Sequence, residues 1–340
     1  MRRRTFCLGA LAGTVAAVGR GVAAPQSSGR VQYSDWQEYR VQHAARFTNG
    51  DMDLTRLEIW LPVARSDQEQ VVSQVRTTPT VKPIADPSGT GNVAQWFLTR
   101  QLPGVNESLV CEVSYTVRVA RMEADLAAVE ATTWAEQPKL SPDDIALRRE
   151  TRIEIDDPRV SEQAEKLRRK TKGPGQFARA AYEWVLERTR YQLHEGIGGT
   201  KYCLDQGSGE CGDYSVLFVA LCRAAGIAAR PAVGYWLEGK PDAWHVWAEF
   251  RLPTGEWVPV DGSLGDGDER QRAAHFGRRD NRRVAVMKTY DVRVPLLEGA
   301  HDTIDFLQVG TWWWWASRIG TRPKCDFTAV GRPVAGRSGT

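Results

Sequence analysis

Gly209-Glu210-Cys211-Gly212-Asp213-Tyr214-Ser215 leads into Leu217, Ala220, Leu221 and Ala224, and then reaches Gly226. Apolar spacings of three and four predict a helix that opens near Cys211 and closes at Gly226, a residue type suited to the position after a helix end. A cysteine in the first turn of a helix lies among N–H groups that have no partner inside the helix. It also meets the positive end of the helix dipole, and both effects favour the thiolate. The flanking glycines let another backbone approach the sulfur closely. The same N–H groups could stabilise an oxyanion once the sulfur has attacked a carbonyl.

Strands are expected downstream, over residues 230–235, 244–252 and 256–261. In the second, His245, Trp247 and Glu249 share one face, and Trp244, Val246, Ala248 and Phe250 the other. Pro253-Thr254-Gly255 joins the last two strands as a hairpin, and Asp261 ends it. A carboxylate beside an imidazole fixes its tautomer and stabilises the imidazolium formed when a thiol loses its proton. A two-residue turn at Thr254-Gly255 would set residue 245 opposite 264, three positions from Asp261. Either a bulge or a diagonal reach is then needed to join His245 to Asp261. Singly, each residue has an ordinary structural explanation: a helix-start cysteine, a core histidine, an aspartate in a turn.

Upstream, helices are expected over 158–170 and again after Gly173-Pro174-Gly175, where Phe177, Ala181, Trp184 and Val185 repeat at helical spacing. Residues 196–212 read as a glycine-rich loop containing Cys203. Nearer the N-terminus the period falls to two. From Leu109 to Val119 the odd positions are apolar or aromatic, which predicts a half-buried strand with Cys111 turned inward. Residues 57–62 resemble a second strand stopped by Pro62, and 77–91 a loop. Residues 282–295 suggest a further strand. The resulting division is an export signal over 1–24, an antiparallel β-sandwich-like domain over 31–135, an α+β domain over 140–300, and a Trp-rich segment with tail over 301–340.

The formal charge of +3 comes from 45 bases and 42 acids. Arg2, Arg3, Arg4 and Arg20 all lie in the first 24 residues, which hold no acid, so removing them leaves 41 bases against 42 acids. Such a balance gives no electrostatic case for nucleic acid. The runs Arg168-Arg169-Lys170, Arg278-Arg279 and Arg282-Arg283 read as solvated faces. A basic start and a short apolar run mark an export signal, and Arg3-Arg4-Thr5-Phe6 resembles the twin-arginine type. The alternative is an uncleaved anchor at the cell envelope. Five cysteines follow the signal, an odd number, which flags one thiol as reactive or unpaired. Cys203 and Cys325 could pair after export. The four consecutive residues Trp312 to Trp315 are expected to pack alternately on a core. Neither a calcium loop nor the short ligand spacing of a zinc site is present, so no metal or other cofactor is expected.

The run 209–215, continued by Arg223-Ala224-Ala225-Gly226-Ile227-Ala228-Ala229-Arg230, resembles the core motif of the transglutaminase-like superfamily. Trp244-His245-Val246-Trp247-Ala248-Glu249 resembles that family's histidine strand, and Gly255-Glu256-Trp257-Val258-Pro259-Val260-Asp261 its aspartate strand. The resemblance covers residues 175–295 and implies a papain-like fold. It implies Cys211 as nucleophile, His245 as base and then acid, and Asp261 as the residue that orients the histidine. The family also supplies an oxyanion donor from before the cysteine, for which Tyr191, Gln192 and Gln206 are candidates. The implied substrate is a protein or peptide amide. The competing reading is a binding or scaffold protein that has kept the fold without the chemistry.

Overall fold

The computed structural model describes residues 29–334 apart from 87–88, 142, 195–197 and 297–298. The expected export signal and the end of the tail lie outside the described residues. Alternation builds the first layer. Strand β1 (Val31–Thr48) buries Tyr39, Val41, His43, Ala45 and Phe47, all at odd positions. Strands β2 (Asp53–Val63), β3 (Gln70–Thr78), β4 (Asn92–Leu98) and β5 (Ser108–Ala124) follow. In β5 the odd positions from Cys111 to Val119 are buried, as the period predicts. Pro62 does not stop β2, because it pairs with Val93 and the strand runs on to Val63. β3 enters the expected loop: its largely exposed, polar sequence gives no alternating signal.

The helical layer begins with α1 (Pro158–Lys170), whose N-cap Asp157 accepts from Arg159 N at 2.9 Å ahead of a proline at the first helical position. Then come α2 (Pro174–Arg188), α3 (Thr200–Gln206) and α4 (Cys211–Ala224). The stretch expected as one loop over 196–212 therefore holds a helix with Cys203 buried in it. A two-turn helix between glycines leaves too short an apolar repeat to detect. Every residue of α4 from Asp213 to Arg223 is buried, so this helix is the centre of the layer rather than its face. It ends in a Schellman arrangement: Gly226 N donates to Arg223 O and Ile227 N to Cys222 O, both at 2.9 Å, with Gly226 at φ +79°.

Strands β6 (Ala229–Trp236), β7 (Trp244–Arg251), β8 (Trp257–Val260) and β9 (Arg283–Met287) form an antiparallel sheet in the order β8–β7–β6–β9. The single strand expected over 282–295 is two, since Arg283–Met287 joins this sheet and Val292–Pro295 pairs elsewhere with His301–Ile304. The α4 helix and the apolar residues Val246, Ala248 and Phe250 of β7 share one core.

The chain then returns to where it began. Strand β10 (Thr311–Arg318) pairs with β2, and β11 (Lys324–Pro333) pairs with β1. These strands complete both sheets of the first layer, so residues 311–318 and 324–333 of the Trp-rich segment and tail are built into it. Trp312 and Trp314 pack on the sandwich core, and Trp313 meets Trp60 at 4.6 Å between ring centroids. Trp315 stays partly exposed under the guanidinium of Arg56. Among the described residues no helix is long and apolar enough to cross a membrane.

His43 marks where the sandwich meets the second sheet. It packs against Tyr235 and Trp244, its Nε2 faces the Val309 carbonyl, and its Nδ1 is buried with no hydrogen-bond partner among the described residues. Burial outweighs the carbonyl's help and holds its pKa at about 4. The unfolded value is about 6.5, so between these values the unfolded chain binds the extra proton and stability rises with pH. Lowering the pH from 6.5 to 4 should cost about 3 kcal/mol through this residue. Calorimetry of His43→Gln, which keeps a donor for Val309, should show a flatter decline of Tm across that window than the parent.

Candidate active site

A cleft of about 380 Å3 opens at the start of α4, with Cys211, Tyr191, Trp244, Tyr290, Phe306 and Gln308 among its lining residues. Cys211 is the first residue of the helix and Glu210 its N-cap. The helix start is fixed by Asp213, which accepts from Glu210 N at 2.9 Å, Gly199 N at 2.8 Å and His194 Nε2 at 2.7 Å. The glycines around the cysteine follow from this. A Cβ at Gly209 would stand 2.5 Å from Cβ of Asp213, and one at Gly198 would stand 2.0 Å from its Oδ1.

His245 reaches Asp261 diagonally. Ala248 pairs with Val260 and Glu249 with Pro259. Leu252 N donates to Glu256 O, so the turn spans three residues, 253–255, rather than two. Continued by one position, this register sets Asp261 opposite Trp247, on the face that His245 shares. No bulge interrupts the β7–β8 ladder. The gap from His245 Nε2 to Asp261 Oδ2 is 2.7 Å. The other ring nitrogen is not used by Asp261, and Cys211 lies close enough to act on the charge of the ring.

Burial disfavours the charged imidazole, but the Asp261 carboxylate and the Cys211 sulfur outweigh it and lift His245 to about 9. Burial likewise opposes the charge on Asp261. His245 and Arg283 overcome it and hold that carboxyl well below the usual carboxylate range. Oδ1 of Asp261 accepts from Leu264 N and Ser263 Oγ, both at 3.1 Å, and Arg283 Nη1 donates to Oδ2. The arrangement can deprotonate a thiol and stabilise the resulting pair of charges.

Of the three candidate oxyanion donors, Tyr191 lines the cleft, half exposed, with its ionisation pushed up by burial and by Cys211. Gln192 is exposed and contributes a backbone bond to Gly209 O; Gln206 is exposed at the end of α3, and neither lines the cleft. Four contributors were not legible in the sequence: His194, Tyr290, Gln308 and Arg283. Gln308 donates from Nε2 to the carbonyls of Gly234 and His245 at 2.6 and 3.0 Å, which braces β6 and β7 behind the histidine. Arg283 sits in a basic run expected to be solvated, yet its side chain is 1% exposed. The pairing of Cys203 with Cys325 that export would allow is not made. All five described cysteines are free, Cys203 lying in the core around α4 and Cys325 against that of the sandwich.

Residues 161–262 match the model of the transglutaminase-like superfamily. The chain carries a transglutaminase-like domain. Cys211, His245 and Asp261 all fall within the matched stretch, which supports a cysteine-dependent enzyme at the level of the family. A candidate cysteine protease from Cytophaga hutchinsonii superposes with a TM-score of 0.59 at 15% identity, over 90% of this chain and 93% of that one, a likeness of fold. The periplasmic domain of TgpA from Pseudomonas aeruginosa gives a TM-score of 0.36 at 18% identity, over 71% of this chain and 93% of that one. No curated protein sequence matches the chain significantly.

The hold of Asp213 on the helix start can be measured. Asp213→Ala strands three buried or half-buried donors and should cost about 3 kcal/mol in urea denaturation. Asp213→Asn, which keeps the shape and one carbonyl oxygen, should cost less.

Proposed function

We propose that this protein is an exported cysteine-dependent acyl-transfer enzyme that acts on amide bonds of protein or peptide substrates. The single observation that carries the reading is a histidine 2.7 Å from a buried aspartate and within the electrostatic reach of a cysteine at a helix N-terminus, which stands at the wall of an open cleft. In this reading His245 takes the thiol proton and the sulfur of Cys211 attacks the amide carbon. The backbone N–H groups that open α4, with the Tyr191 hydroxyl, stabilise the oxyanion. The imidazolium then gives its proton to the leaving amine, which departs and leaves an acyl-thioester on Cys211. Water, activated by the same histidine, releases the acid. An amine in its place would give transamidation, and water is the acceptor we favour. Asp261 orients the ring throughout.

Export rests on the basic and then apolar N-terminus. It would place the enzyme in the periplasm or outside the cell, where association with the cell envelope is also open to it. The scaffold alternative draws no support from the tryptophan run, whose rings are largely spent on packing.

Alkylation by iodoacetamide across pH, read site by site by mass spectrometry, tests the reading. Cys211 should react fastest of the cysteines, stay reactive well below the free-thiol pKa of about 8.5, and slow by at least about tenfold in His245→Ala. Release of new termini from an unfolded protein substrate should vanish in Cys211→Ala. A Cys211 no more reactive than the other cysteines would move the scaffold reading ahead.

A further inference from the structure

Arg283 lies on β9, across β6 from the strand that carries His245. Its guanidinium is held near the indole rings of Trp236 and Trp247, 4.7 and 5.4 Å from their centroids. Nη1 donates to Oδ2 of Asp261, the same oxygen that faces His245 Nε2. Nη2 is 3.4 Å from Asp280, the more exposed of its two carboxylate partners. A fixed cation and an imidazolium thus draw on one oxygen of one carboxylate.

Sharing that oxygen has a chemical consequence. A buried aspartate devoted to the histidine alone would stabilise the imidazolium so well that it became a poor acid. General acid catalysis is best served when the donor's pKa stays near the working pH. We propose that Arg283 is a positioning residue that tempers the Asp261–His245 pair, fixing the carboxylate toward the ring while withdrawing part of its charge, so that the imidazolium can still protonate a leaving amine. The inference rests on the reading of Cys211, His245 and Asp261 as catalytic.

The neighbours of the pair are few enough to name. His245 faces Asp261 from the end of β8 and Cys211 from α4, while the half-buried His275 senses both His245 and Asp261. Tyr182 on α2 and Tyr191 sense the charge of Asp261. Asp280 and His275 lie within reach of Arg283's field. Among these groups Arg283 is the permanent cation, so its removal has a defined sign.

The chain has five histidines, few enough for ring-labelled NMR titration of the whole protein, with His245→Ala to identify the resonance. In the parent, His245 should titrate near 9. Arg283→Met should raise that midpoint by about one unit, and Arg283→Lys, which keeps the charge, should bring most of the shift back. Asp280→Asn, at a more exposed site, should move it the other way, because Arg283 then acts on Asp261 with less of its charge offset. A folded Arg283→Met whose His245 midpoint stays put overturns the inference and leaves Arg283 a packing residue. Should Arg283→Met fail to fold, the signs found with Arg283→Lys and Asp280→Asn decide the matter. If instead the parent's His245 titrates as an ordinary histidine and Cys211 shows no His245-dependent alkylation, it is the catalytic reading that fails.

Discussion

Asp261 is a carboxylate with almost no contact with water, and the removal of an ion from water costs several kcal/mol unless its oxygens are fully used. Here they are. A backbone N–H, a serine hydroxyl, an imidazole and a guanidinium converge on it from the following turn, from β7 and from β9. Each of these donors needs its own element in register. The three-residue turn at 253–255, the diagonal step from His245 and the burial of Arg283 beside two indoles are therefore parts of one solvation problem.

The same strand face carries a second charge cluster. Beyond His245 and Trp247 comes Glu249, fully buried and paired with Arg230 at 2.7 Å and Lys288 at 3.3 Å. Lys288 also meets Asp67 and Glu69, at 2.8 and 2.7 Å, which arrive from the β2–β3 connection of the sandwich. Buried ion pairs of this kind add little net stability over apolar packing, but losing one partner is severe, about 3–5 kcal/mol. Their effect is to fix how the two layers meet. The strand that presents the histidine is thereby tied to the sandwich through its charges as well as through the packing of Tyr235 and Trp244 on His43.

Elements whose chemistry is local were legible in the sequence. Period two in β5, the glycine that ends α4 and the cysteine at that helix's start all follow from neighbours within a few residues. Asp261 was legible as a residue but not as a contact, because a one-residue error in turn length shifts a hairpin's register. Arg283 and Gln308 were not legible at all. Their roles depend on partners 22 and 63 residues away, and nothing in the local pattern of a basic run or a polar loop distinguishes a buried side chain from a solvated one. Gln192 and Gln206 are near the cysteine in the chain, but both side chains are exposed and neither lines the cleft, because nothing local says which way a side chain near the site will turn.

The return of β10 and β11 to the first layer bears on the order in which the molecule can be assembled. Both sheets of the sandwich receive strands from the last part of the described chain, and the segment leading into them supplies Phe306 and Gln308 to the cleft. During synthesis Cys211, His245 and Asp261 all emerge before these pieces do. A nascent chain halted short of residue 306 would hold the three reactive groups without one wall of the cleft and without the brace behind the histidine. Completion of the cleft thus waits on the segment that leads into these late strands, an order of events set by topology alone.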